Sequence, residues 1–109
     1  MSIIKKIPLV LIFFCSFSYA QNVSGEKVFK TYCWGCHHQT SVAFGPSFQE
    51  MADKRTRGEI QGHIIAPLST YKQLGHKRSV MPSFQGKLSN EELEAITDFI
   101  YTFKSQKEK

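Results

Sequence analysis

The stretch Cys33-Trp34-Gly35-Cys36-His37 decides the fold. It reads C-x-x-C-H, and the spacing has a mechanical meaning. On a helix, Cys33, Cys36 and His37 stand at i, i+3 and i+4 and project from one face. C-x-x-C-H is the attachment signature of c-type haem. The two thiols can reach the two vinyl groups of one porphyrin as thioethers, and the imidazole is then carried under the iron. The motif predicts one covalently bound haem c.

Two other chemistries use similar residues. A thioredoxin-like redox pair expects a βαβ context, and no segment after residue 20 shows sustained β alternation. A zinc site wants a second ligand pair well separated in sequence. His38, His63 and His76 are scattered and do not supply one.

Upstream of the motif the chain changes character. Lys5 and Lys6 precede an apolar run over residues 7–17, broken only by Pro8 and Ser16, and Ser18-Tyr19-Ala20 then puts small residues where a signal peptidase reads. A membrane-spanning helix needs roughly 20 apolar residues, so the run predicts a cleaved secretory signal, residues 1–20, rather than an anchor. Residues 21–109 then form one domain of an exported, periplasmic protein with no stable membrane anchor. Cys15 follows Phe14, which is not small, so lipoprotein processing is not expected. Loss of the leader removes Cys15 and leaves Cys33 and Cys36, too close together to staple a fold.

The charge follows the same correction. Of 14 basic residues, Lys5 and Lys6 lie in the leader; the remaining twelve against 9 acidic give +3 instead of +5. Nothing in this mild excess, and no Arg/Lys stripe interleaved with aromatics, predicts nucleic-acid binding. A domain this small builds a thin hydrophobic core, which a large buried cofactor would help to fill.

Three helices are expected. One covers residues 24–36, with Ser24 as N-cap and Gly25, Val28, Phe29, Tyr32 and Cys36 on one face. A second covers 58–65, ending before Pro67. A third covers 90–103, where Ser89 and Glu92 read as a capping box and Leu93, Ile96, Phe99, Ile100 and Phe103 form the apolar stripe. Lys104 and Lys107 suit its C-terminal end. Gly45-Pro46, Pro67, Gly75, Pro82 and Gly86 mark turns between them. The expected class is all-α with long loops, and a bound cofactor gives such loops a reason.

Over residues 22–104 the chain resembles the class I cytochrome c family. Gly25-x-x-x-Phe29 is similar to the family's N-terminal helix pattern, in which the glycine lets the C-terminal helix cross at short distance. Ile96 and Phe99 stand where the family places an aliphatic and an aromatic residue for that crossing, with Phe99 in place of the usual tyrosine. The resemblance implies a small cytochrome c fold, with crossing N- and C-terminal helices and loops wrapped around one covalently bound haem. It also implies that the Pro46 carbonyl accepts a hydrogen bond from His37, and that Phe48 packs against the porphyrin.

Iron in an electron carrier is normally six-coordinate. Met81, in Val80-Met81-Pro82-Ser83-Phe84, resembles the family's Met-Pro ligand loop, with Phe84 packing on the haem. His76 and His63 are the alternatives, and Met51 reads as a core filler. His/Met ligation favours ferrous iron and a relatively high potential. His38 is expected at the surface or on the propionate side. Trp34 stands where the family tolerates almost anything, and Arg55, Tyr71 and Lys72 are candidate propionate partners. Lys72, Lys77, Arg78 and Lys87 flank the Met81 loop, either as a cationic ring for a protein redox donor and acceptor or as ordinary solvated charge. The function expected is single-electron transfer, as a free carrier or as the haem subunit of an oxidoreductase. A haem peroxidase or gas sensor is the weaker alternative, because no acid–base pair for peroxide chemistry is in view.

Overall fold

The structure, a computed structural model, describes residues 23–106. The expected signal, Cys15 and Lys107 lie outside the described residues. Within them every regular element is helical and no strand occurs. No helix among the described residues is long and apolar enough to cross a membrane.

Helix α1 (Gly25–Val28) starts where Ser24 accepts the Lys27 N–H on its hydroxyl, at 3.3 Å. It runs on as a π-helical segment, Phe29–Cys33, closed by a 2.9 Å bond from the Trp34 N–H to the Phe29 carbonyl. The Thr31 hydroxyl donates to the Lys27 carbonyl at 2.8 Å, a back-bond of the kind that bends helices. The expected helix therefore stops at Cys33, and the rest of the motif lies in a turn. The N–H groups of Cys36 and His37 both donate to the Cys33 carbonyl, at 3.1 and 2.9 Å. One carbonyl thus holds the three residues of the motif in register.

Helix α2 (Phe48–Lys54) and helix α3 (Arg57–Ile65) follow, each started by a hydroxyl cap. Ser47 accepts the Glu50 N–H, and Thr56 forms a full capping box with Glu59. Helix α4 (Pro67–Thr70) is a single turn that opens on its proline, a position where the missing N–H costs nothing. Helix α5 (Asn90–Tyr101) carries the Ser89–Glu92 capping box read from the sequence, and ends two residues before the expected Phe103.

α5 is the element on which α1, α2 and α3 pack. Its Ile96, Thr97 and Ile100 are completely or almost completely buried, facing Phe29 from the π-helical segment, Phe48 and Ala52 from α2, and Ile60 and Ile64 from α3. Thr97 remains satisfied inside: its hydroxyl donates to the Leu93 carbonyl at 2.6 Å and accepts from Gln61 at 3.1 Å. Phe29, Phe48, Phe99 and Phe103 form a continuous aromatic cluster with centroid separations of 5.1 to 6.5 Å. Outside, Arg57 pairs with Glu94 and Asp98, an exposed network whose contribution is small.

α1 meets α5 at close range at Gly25. A Cβ there would stand 2.2 Å from the Ala95 carbonyl oxygen and 2.6 Å from the Phe99 Cβ. Backbone cannot yield as a flexible side-chain tip can, so Gly25→Ala is expected to lower stability by about 1–3 kcal/mol. Helix propensity alone would favour alanine by about 1 kcal/mol, so thermal denaturation of the variant distinguishes the two effects by sign.

Candidate functional site

One cavity of about 340 Å³ gathers the chemistry-bearing residues of the chain. Cys33, Cys36 and His37 line it from the turn after the π-helical segment. Gly45 and Pro46 come from the following loop, Met51 from α2, Ile60, His63 and Ile64 from α3, and Met81 and Phe84 from the segment before α5. The lining surface is mainly apolar, with the charged side chains of Glu50, Lys54, Arg55, Glu59 and Arg78 also bordering it.

His37 is the most constrained of these. Its Nδ1 lies 2.8 Å from the Pro46 carbonyl oxygen. A carbonyl can only accept, so Nδ1 carries the proton and Nε2 keeps its lone pair. Burial is the main influence on its titration and lowers its pKa; the Pro46 bond works against this, and nearby His38 adds to it. Below-normal basicity keeps the ring neutral at neutral pH, the form that ligates metals. Phe48 stacks behind the imidazole at 6.1 Å between centroids. It is only 1 % exposed and belongs to the core rather than to the cavity wall, which places it one layer back from where a porphyrin contact was expected.

The loop carrying Pro46 is drawn against the motif by backbone bonds. The Gly45 N–H donates to the Cys36 carbonyl at 2.7 Å, and the Phe48 N–H to the His38 carbonyl at 2.9 Å. Gly45, expected from the sequence only as part of a turn, is sterically as constrained as its neighbour. A Cβ on it would lie 2.4 Å from His37 Cε1 and 2.8 Å from Nδ1, so only glycine lets the loop close on the ring.

The remaining expectations divide. Phe84 is buried and faces the cavity, its ring edge-on to Tyr32 at 5.9 Å. Met81 is half-buried against the core and faces the cavity, and so does Met51, which packs on the core at the same time. His63 and His76 face it too, with ring centroids 5.8 Å apart. The His63 Nδ1 is taken by the Thr70 hydroxyl at 2.7 Å. Of the three candidate propionate partners only Arg55 reaches the cavity; one of its Nη atoms donates to the Leu74 carbonyl at 2.6 Å. Tyr71 and Lys72 do not line it, and Lys72 lies over the Tyr71 ring instead. His38 is half-buried outside the cavity, edge-on to the exposed Trp34.

These residues fit a haem better than the rival chemistries. Burial, with a smaller effect from Cys36, pushes the Cys33 thiol up to about 11. A disulfide-exchange cysteine needs the opposite shift. No group of three or more His, Cys, Asp or Glu side chains among the described residues is arranged to hold a metal ion. The Ser79 hydroxyl, by contrast, is buried on the cavity wall with no hydrogen-bond partner. Such an orphan calls for a bound group, and a porphyrin brings carboxylates.

Residues 20–100 match the family described as cytochrome c oxidase, cbb3-type, subunit III. The chain belongs to this family. It is thereby a c-type cytochrome domain whose cofactor is covalently bound haem c, and its chemistry is haem-based electron transfer. No curated protein and no solved structure gives a significant match.

The collision at Gly45 gives a direct test. Gly45→Ala is expected to displace the imidazole and reduce the yield of stable, spectroscopically normal haem protein by about tenfold, the effect of losing a ligand's outer support. Gly62→Ala, where a Cβ meets nothing within 4 Å, is the control and should behave as wild type. Pyridine haemochrome per milligram of protein measures both.

Proposed function

We propose that the chain is an exported single-haem electron carrier with a His37/Met81-ligated iron. Cys33 and Cys36 hold the haem through thioether bonds. His37 is the proximal ligand, positioned by Pro46, and Met81 is the sixth ligand. Phe84 packs on the ring directly and Phe48 through His37, while the close α1–α5 contact and the loops complete a cytochrome c fold around the haem. The single observation that carries the reading is the shared cavity: a neutral imidazole with a free Nε2, two cysteines and a thioether all face it. When bound, the haem supplies an iron that exchanges one electron. The protein's part is to hold the ligands, exclude water from them with apolar walls, and leave an edge accessible.

Met81 is preferred to its rivals for its place in the chain. It lies on a segment between α4 and α5 that borders the cavity, whereas Met51 sits on α2 within a few residues of Pro46, on the His37 side of the chain. His63, with Nδ1 held by the Thr70 hydroxyl and Nε2 free, is the nearest rival, and the Met81 variant separates the two. Met81→Ala is expected to abolish the weak near-red charge-transfer band of Met-ligated ferric haem; a spectrum that keeps the band would transfer the sixth position to another residue.

Lys72, Lys77, Arg78 and Lys87 are all exposed, and Arg78 borders the cavity. Beside them Phe44 and Val80 present exposed apolar surface, 77 % and 67 % accessible, at the same cavity. Exposed cations flanking the Met81 segment, next to apolar surface, suit an acidic redox partner. The rate of electron transfer to such a partner is expected to fall several-fold as ionic strength rises from about 0.01 to 0.15 M, where the screening length shrinks from about 30 to 8 Å. A rate indifferent to salt removes the docking role.

A second reading is favoured by the description of the family, which is that of an oxidase subunit. On it the same haem serves a permanent assembly instead of a diffusing carrier. Native mass after mild extraction separates the two: a carrier elutes as a free small protein, a subunit with its complex.

A further inference from the structure

We propose that Ser83 is the positioning residue for the sixth ligand: its hydroxyl pins the Met81 segment to the C-terminal end of α3. The inference rests on the reading of Met81 as an axial ligand and goes beyond it to what holds that ligand in place.

The segment needs such a pin. His76 is the last residue before it with a backbone bond, N–H to the Tyr71 carbonyl at 2.9 Å. From Lys77 to Pro82, among the described residues, neither backbone nor side chain makes a hydrogen bond or an ion pair. Pro82 has no N–H to offer, and the buried Ser79 hydroxyl is without a partner. Apart from any contact of Ser79 with the haem, Met81 is therefore carried on a strap of six residues held by packing and by its two ends.

The downstream end is fixed by α3. A helix leaves its last carbonyls without intrahelical partners, and here the break before Pro67 leaves those of Ile64 and Ile65 open. The Phe84 N–H donates to the Ile64 carbonyl at 3.0 Å. The Ser83 hydroxyl donates to the Ile65 carbonyl at 2.6 Å and accepts the Gln85 N–H at 3.2 Å. Ser83 thus closes both the helix end and the start of the next turn, two residues from Met81. The Phe84 backbone bond survives any side chain at that position, but the Ser83 bonds exist only while a hydroxyl is there. Since Ser83 is solvent-exposed, its substitution should leave the core intact.

The test is displacement of Met81 from ferric holoprotein by imidazole, followed by loss of the near-red band. Ser83→Ala is expected to keep the haem and the band, yet to bind imidazole about five- to tenfold more tightly, as loss of one to two hydrogen bonds implies. Ser83→Thr should restore wild-type affinity. Ser83→Val, which has the shape of threonine without the hydroxyl, should behave as Ser83→Ala, and this pair decides the matter if the alanine variant matures poorly. Hydrogen exchange of the Gln85 amide in the holoprotein should quicken in the alanine and valine variants alone. Imidazole affinities equal across all four proteins, with the band present in wild type, would overturn the role of Ser83 and leave Met81 in place. A wild-type protein without the band would overturn Met81 as ligand, and the positioning role with it.

Discussion

The hydrogen bond from His37 Nδ1 to the Pro46 carbonyl is the interaction on which the site depends. It sets the tautomer, so that Nε2 is free, and it fixes the plane of the ring. It also explains the neighbours. Gly45 must be glycine because the carbonyl can reach the ring only if the backbone passes against it. Phe48 must be buried because it supports the other side of the imidazole. Ser47, between them, turns the loop into α2 at once, so the chain that supplies the bond also enters the core.

The rest of the molecule is organised around that fixed point. α5 collects the apolar faces of α1, α2 and α3, and so joins the segment before the motif to the segment after it. The Tyr101 hydroxyl donates to the Arg55 carbonyl at 2.8 Å, and the Arg55 side chain in turn reaches the Leu74 carbonyl. Rigidity therefore passes from the helical core to the His37 side of the cavity and to one end of the opposite wall. The Met81 strap lies at the far end of this chain of contacts and is the least supported part. That asymmetry suits the proposed ligation: His37 is built into the motif, and Met81 would be brought to it by a loop.

Much of this was legible. The capping box at Ser89 and the apolar stripe after it predicted α5, because a hydroxyl cap and a 3.6-residue period are local properties. The Ser47-x-x-Glu50 and Thr56-x-x-Glu59 spacings carried the same signal for α2 and for the start of α3, but short helices have weak stripes. Pro67 read as a terminator and proved to be an initiator as well, since its missing N–H is harmless at a first helical position. The π-helical widening before the motif left no such mark; it rests on the Thr31 back-bond to Lys27 and the Trp34 N–H bond to the Phe29 carbonyl.

The sequence by itself determined the cofactor chemistry, because C-x-x-C-H joins two thiols and an imidazole within five residues and no tertiary contact is needed to bring them together. It also determined that the class is helical. Only the tertiary structure decided that Gly45 is as necessary as Pro46, that Arg55 faces the cavity while Tyr71 and Lys72 do not, and that Ser83 closes the end of α3. Each of these is a contact between segments distant along the chain or a steric limit set by a folded loop. Such facts arise when backbones meet, and a linear spacing does not encode where they will.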